Sequence, residues 1–281
     1  MRTSPPLVAI ALTALAPLAT GQVKYDLNFD DFELGKSWTL GEGAPDRAEI
    51  IAQGPDDHAL RVFYPAGGVG PFETGLTFLG RVDQQGPLTQ ATGSYDVLFE
   101  EGFDFQRGGK LPGLTGGGTA ATGGSPANGY NGWSARAMFN GNGELFQYVY
   151  HMNQAGTYGD VFYWTDAQGQ RLAVTPGQSY QLKTQVQVNT PGQANGSIRS
   201  WLDGQLVLEL DNMELTATTD LGIDTFYFST FHGGNDDTWA PDNDSYIQFD
   251  NLLVTVPEPA SALLLACLPL LSTRQRSTPN R

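Results

Sequence analysis

The residues of this chain best suited to chemistry lie on two segments, 133–139 and 145–151, whose side-chain alternation predicts β-strands. Successive strand residues point to opposite faces, so each segment gathers a set on one face. These are Ser134, Arg136 and Met138 on the first segment, and Tyr148 and Tyr150 on the second. An arginine and two tyrosines that face a core are costly unless their polar groups are satisfied. A groove that holds an anionic sugar explains them better.

These residue types suit β-elimination on a uronic acid. The C5 proton becomes removable when a cation neutralises the adjacent carboxylate, and Lys110 and Arg136 are the candidate cations. A base must take that proton, and an acid must protonate the leaving O4. Tyrosine can serve in either role where a nearby cation lowers its ordinary pKa of about 10. The predicted reaction requires no cofactor and no metal.

Several short motifs occur together between residues 96 and 251. They are GGKLPG at 108–113, SxRxM at 134–138, YxY at 148–150, FSTFHGG at 228–234 and WAP at 239–241. Each motif alone is weak, but the combination resembles the family-14 polysaccharide lyases, which are alginate-lyase-like β-jelly rolls. The resemblance implies cleavage of an acidic polyuronate, either alginate or a glucuronan-like polymer.

The resemblance also implies roles for individual residues. Tyr148 or Tyr150 would be the base and the acid, and one tyrosine in both roles stays open. Lys110 and Arg136 would neutralise the carboxylate, and Ser134 would donate a hydrogen bond to the substrate. A further predicted substrate contact is His232, which lies in a Phe-His-Gly-Gly segment at a strand end.

Strand-like alternation recurs along the chain, and no helix of ordinary length is evident, so we predict an all-β fold. The predicted strands are 59–64, 92–99, 133–139, 145–151, 180–188, 197–203, 205–210, 225–230 and 246–254. Asp203-Gly204 predicts a two-residue hairpin. The expected architecture is a β-jelly-roll sandwich of two antiparallel sheets. The glycine-rich residues 108–129 are expected to form a long loop at the rim of a cleft.

The charge of the chain limits its partners. Its 15 Lys and Arg residues stand against 30 Asp and Glu residues, which gives a net charge of -15. The sequence contains no cluster of basic residues of the kind that binds nucleic acid. We expect a monomer whose partner is an acidic polysaccharide, with the few basic residues concentrated at the site. The single cysteine, Cys267, excludes an intramolecular disulfide.

Both ends of the chain resemble export signals. Residues 1–21 contain an arginine, an apolar run and a small-residue cleavage site, as a signal peptide does. Residues 256–281 combine Pro-Glu-Pro, a short apolar run and arginines, and resemble the PEP-CTERM sorting segment of bacteria. The lyase-like domain is therefore expected at 22–255. We expect a bacterial protein that is secreted or held at the cell surface or extracellular matrix, with transient membrane contact through its C-terminal segment.

Two other functions stay open at this point. A non-catalytic carbohydrate-binding or extracellular-matrix protein would use the same sandwich, but it would not need paired tyrosines beside cations. A glycoside hydrolase would need two facing carboxylates, and Glu100-Glu101 does not supply them because adjacent strand residues point to opposite faces. The acidic residues within 236–244 are expected to form a solvated loop rather than a calcium site.

Overall fold

The computed structural model describes residues 21–30, 46–83, 86–234 and 236–257. A compact unit spans Gln22–Val256. The predicted signal peptide and the predicted PEP-CTERM segment lie outside the described residues, except for their inner ends. Within the described ranges, no helix combines the length and the apolar character that a membrane crossing requires.

The described strands form two antiparallel sheets, which confirms the predicted jelly-roll sandwich. The larger sheet contains β1 (Gln22–Leu27), β2 (Ala48–Gly54), β3 (Asp57–Tyr64), β5 (Gln90–Phe99), β10 (Ser179–Gln187), β11 (Gly196–Leu202), β12 (Gln205–Met213) and β14 (Ser245–Val256). The smaller sheet has the order β4 (Leu76–Arg81), β13 (Thr225–His232), β6 (Gly108–Gly116), β7 (Trp133–Asn140), β8 (Leu145–Tyr150) and β9 (Asp160–Tyr163). A short helix, α1 (Gly70–Glu73), precedes β4, and a 3-10 turn at Asp237–Trp239 precedes β14.

The core lies between the sheets and is built by the side chains that alternate inward. On β5 every second residue from Ala91 to Phe99 is buried, and the residues between them are partly exposed. On β7, Trp133, Phe139 and the two alanines between them join the same core. Phe99 from one sheet packs edge-on against Phe139 from the other, with ring centroids 5.2 Å apart. The outward-facing side chains of each sheet are therefore free to build a site.

The structure confirms the predicted strand positions and one predicted turn. Each of the nine predicted segments overlaps a strand, and the ends differ by no more than about three residues. The hairpin between β11 and β12 is also confirmed. Asp203 and Gly204 both have positive φ, at 48° and 78°, as a type I′ turn requires.

The predicted loop at 108–129 is wrong in its first part, because Gly108–Gly116 is strand β6 in the interior of the smaller sheet. The glycines are there because the neighbouring strand comes too close for side chains. A Cβ on Gly113 would lie 2.2 Å from the carbonyl oxygen of Ala135. Pairing with both neighbours is irregular between Lys110 and Gly113, where Pro112 has no amide to donate. The glycine-rich composition that suggested a loop therefore belongs, in its first part, to an interior strand with a β-bulge.

Candidate active site

The outer face of the smaller sheet carries a cleft of about 650 Å³. Its floor is built by alternation, because strands that bury one residue in the core turn the next one outward. The floor side chains are Phe231, Tyr227, Lys110, Arg136, Met138, Phe146, Tyr148, Tyr150 and Val161. Loop residues complete the lining: Pro71, Thr122, Gly123, Tyr158, Gly233, Gly234 and Trp239.

The structure brings the two predicted cations, Lys110 and Arg136, into this cleft. Arg136 is buried, and its Nε and Nη2 donate to the carbonyl oxygens of Leu111 and Ser229. These bonds fix the guanidinium in place and leave Nη1 without a hydrogen-bond partner in the described part of the chain. Lys110 is half-buried, and its Nζ lies 5.3 Å from the centre of the Tyr148 ring.

Neither cation forms an ion pair with any described carboxylate, although arginines elsewhere in the described ranges do. Burial, and then the charge of Arg136, lower the pKa of Lys110 to about 7. Burial also lowers the pKa of Arg136, which stays protonated as arginine does in proteins. Two adjacent cations without a counter-charge destabilise the fold. A bound carboxylate would supply that counter-charge, so the pair suits an anionic ligand.

Tyr148 and Tyr150 stand side by side on β8, with hydroxyl oxygens 3.5 Å apart and rings in edge-to-face contact. Tyr148 is half-buried, whereas Tyr150 is only 1% exposed. Each hydroxyl oxygen accepts a hydrogen bond from a backbone amide. Gly159 donates to Tyr148 at 3.2 Å, and Gly124 donates to Tyr150 at 3.0 Å. Two loops therefore hold the tyrosine pair.

The structure corrects the expectation that a neighbouring cation lowers the pKa of the tyrosine. Burial raises the pKa of Tyr148 above its ordinary value, its contact with Tyr150 raises it further, and the Gly159 amide opposes this shift. Nζ of Lys110 lies 5.3 Å from the centre of the Tyr148 ring, and no hydrogen bond joins it to the Tyr148 hydroxyl among the described residues. Tyr148 therefore rests as a neutral phenol, which is the form that donates a proton.

The other two predicted site residues lie outside the cleft lining. Ser134 is buried, and its hydroxyl donates to the carbonyl oxygen of Ala121 in the loop after β6, at 2.8 Å. His232 faces the core, where its ring packs among aromatic side chains and its Nε2 contacts the backbone oxygen of Asp104 at 2.7 Å. Both residues thus have structural contacts, and their contact with substrate stays a prediction.

Three features of the cleft were missed by sequence reasoning. Tyr158 lines the cleft from the loop between β8 and β9. The amides of Gly124 and Gly159 hold the tyrosine hydroxyls. A backbone amide leaves no trace in residue type, and a single loop tyrosine has no periodic pattern. The glycine-rich stretch after residue 116 was the one available signal, because long loops often serve a site.

No three His, Cys, Asp or Glu side chains of the described residues come together as a metal site would require. In the acidic segment, Asp236 accepts from the amide of Thr238, and Asp244 accepts from the amide of Ala66. These two carboxylates therefore accept hydrogen bonds from backbone amides.

Comparison with known proteins relates this cleft to a family. The sequence profile named polysaccharide lyase 14 matches residues 52–252, which include every strand of the cleft floor. The chain belongs to the polysaccharide lyase 14 family. The resemblance drawn from the sequence motifs is thereby confirmed. No curated protein matches the chain significantly.

Solved structures similar to this polysaccharide lyase 14 chain include alginate lyases. The marine PL-14 alginate lyase from Aplysia kurodai is 25% identical with a TM-score of 0.72, and the match covers 84% of this chain and 100% of the other. Alginate lyase Aly36B is 28% identical with a TM-score of 0.67, covering 82% and 96%. A variant of Aly36B in complex with alginate trisaccharide is 27% identical with a TM-score of 0.68, covering 82% and 96%.

Proposed function

We propose that this chain cleaves an acidic polyuronate, either alginate or a glucuronan-like polymer, by β-elimination. The observation that carries the proposal is the cleft floor, where two cations without carboxylate partners among the described residues lie beside two tyrosines in mutual contact. Membership of the polysaccharide lyase 14 family supports the class of reaction. The alginate oligosaccharides bound to variants of Aly36B support an acidic polysaccharide as the substrate.

In the proposed reaction, the carboxylate of one uronate binds against Lys110 and Arg136. Neutralising it stabilises the negative charge that develops when the C5 proton leaves. The electron pair of the C5–H bond then forms the C4–C5 double bond, and the C4–O4 bond breaks. A proton delivered to O4 completes the leaving group.

Tyr148 is our proposed group for these proton transfers, because its phenol is the more accessible of the pair. As a neutral phenol it donates its proton to O4 while the C4–O4 bond breaks. Its oxygen, whose tyrosinate character Lys110 and Arg136 stabilise, accepts the C5 proton in the same step, so Tyr148 ends the reaction as a neutral phenol. Tyr150 is proposed to position Tyr148 through the contact between their hydroxyls.

The test is to incubate the purified protein with alginate or glucuronan and to follow the ultraviolet absorbance of the unsaturated uronate that elimination creates. We expect the wild type to produce it. Tyr148→Phe should lower the rate about 1,000-fold through loss of general acid–base catalysis, and Tyr150→Phe should lower it about tenfold through loss of positioning. A folded protein that binds these polymers without any rise in absorbance would contradict the proposal. It would leave the non-catalytic carbohydrate-binding function.

A further inference from the structure

The positive charge of the cleft is confined to one part of its floor. Among the described side chains that line the cleft, only Lys110 and Arg136 are cationic, and they come from adjacent strands, β6 and β7. The cleft volume of about 650 Å³ is in the range of sites that enclose ligands larger than one sugar. The two cations can neutralise the carboxylate of one sugar, so the sugar beside it meets uncharged surface.

That uncharged surface lies at the other edge of the cleft floor and is unusually exposed. Val161 on β9 lies opposite Tyr148 in the sheet register and is 47% exposed. Tyr158, in the loop that leads into β9, lines the cleft and is 62% exposed. Single exposed hydrophobic residues are common and need no explanation. Here two of them line the same ligand cleft.

The backbone that carries Tyr158 is held by several hydrogen bonds. Nε2 of Gln154 donates to the carbonyl oxygens of Gly156 and Tyr158, at 2.9 and 3.1 Å. The next residue, Gly159, donates its amide to the hydroxyl of catalytic Tyr148. The backbone that carries the exposed ring is therefore fixed directly beside the reaction centre. Little conformational entropy remains to be lost when a ligand packs on the ring.

The ring also lies beside a glycine of the opposite loop. Gly124 has φ +89°, and a Cβ there would lie 3.4 Å from the Tyr158 ring. The same Gly124 donates its amide to Tyr150. The loop that holds Tyr150 thus also lies beside the Tyr158 ring.

From this geometry we propose that Tyr158 is a stacking platform for the sugar next to the one that is cleaved. This inference rests on the proposed function and adds a specificity residue to the same site. The C–H face of a pyranose ring packs on an aromatic face. Tyrosine supplies the apolar ring face, and its hydroxyl stays in contact with water. The site accordingly recognises one sugar through its carboxylate and the next sugar through its apolar face.

The test compares Tyr158→Ala and Tyr158→Phe with the wild type on uronate tetrasaccharides. We expect Tyr158→Ala to raise KM about tenfold with kcat within about twofold, and Tyr158→Phe to behave as the wild type because the ring is kept. The matched control is Tyr130→Ala, since Tyr130 is 72% exposed and does not line the cleft. An unchanged KM in Tyr158→Ala would overturn the inference. A loss of kcat in Tyr158→Phe would overturn it as well, because it would assign the hydroxyl to the chemistry.

Calorimetric binding of the same tetrasaccharides, with the wild type and Tyr158→Ala each also carrying Tyr148→Phe so that the ligand is not consumed, separates this inference from the proposed function. A protein with Tyr148 intact that binds them without cleaving them would contradict the lyase proposal, yet about tenfold weaker binding by Tyr158→Ala would still support the platform. Equal binding by the wild type and Tyr158→Ala would overturn the platform and leave the lyase proposal intact. No binding by the wild type would overturn both.

Discussion

Arginines lie on the outer faces of both sheets, but in different surroundings. On the larger sheet, Arg61 forms a two-point ion pair with Glu100 and a further pair with Glu49, and its guanidinium lies 3.5 Å from the centre of the Tyr246 ring. On the smaller sheet, Arg136 donates hydrogen bonds to backbone carbonyls and lies over the rings of Tyr227 and Phe231, with no ion pair to a described carboxylate. The first arrangement is complete within the protein, and the second lacks a counter-charge among the described side chains.

The difference teaches how one scaffold separates stability from function. The hydrogen bonds that Arg61 donates to Glu100 raise the pKa of Arg61 and lower the pKa of Glu100, so each group stabilises the charge of the other. In the cleft, burial lowers the pKa of both Lys110 and Arg136, because their charges have lost water without gaining a carboxylate partner among the described residues. Unpaired cations in a cleft therefore mark the place where a ligand supplies the missing charge.

The largest effect that would test this comparison is expected from Arg136→Met. Removing a fixed cation from the carboxylate site should lower kcat/KM about 1,000-fold, because the enolate charge loses its stabilisation. Arg61→Met, on the other sheet, should leave kcat/KM within about twofold and lower the free energy of unfolding by about 1 kcal/mol. Steady-state kinetics and urea unfolding measure both. Equal kinetic losses in the two folded variants would break the comparison.

In a second pair of variants, one is expected to lose activity and gain stability, and the other is its control. Lys110→Met should lower kcat/KM about 100-fold and raise the free energy of unfolding by about 1–3 kcal/mol, because an unpaired, partly buried charge is removed. The control is Lys183→Met on the larger sheet, where Nζ lies 4.4 Å from the centre of the Trp201 ring. That variant should keep its activity and lose less than about 1 kcal/mol. A Lys110→Met protein that is less stable than the wild type would show that the charge is already compensated.

The smallest effect concerns pH. Lys110, with its pKa lowered to about 7, is protonated below that pH and neutral above it. Because kcat/KM reports the free enzyme, it should fall by up to about tenfold per unit as pH rises above 7. The fall should disappear in Lys110→Arg, whose guanidinium stays protonated. A rise of kcat/KM through the same range would contradict the requirement for protonated Lys110.

Sequence alone predicted what depends on alternation along a strand. The period of two placed Arg136 and Met138 on one face of β7, and Tyr148 and Tyr150 on one face of β8, and the structure has them lining one cleft. Strand positions and the hairpin at Asp203-Gly204 followed from the same local rules. These properties are local, so residue types and spacing are sufficient to predict them.

Properties that depend on neighbouring strands could not be predicted in this way. Gly113 is a glycine because Ala135 of the next strand approaches it, and no local pattern reports that distance. His232 was predicted from its motif, but its place on β13 turns it to the core. The raised pKa of Tyr148 follows from burial, which the sequence does not give. Each of these properties arises only when strands that are distant in the sequence pack together.

Strand β14 lies between β5 and β3 and also pairs with β1, so the middle of the larger sheet is formed by the last strand of the compact unit. Until that strand has been synthesised, β3 and β5 each lack a neighbour and present an open edge. Gln22 pairs with Val256, and such distant pairing makes folding slow. The sheet can therefore close only after the whole unit has left the ribosome, which makes its folding a post-translational event.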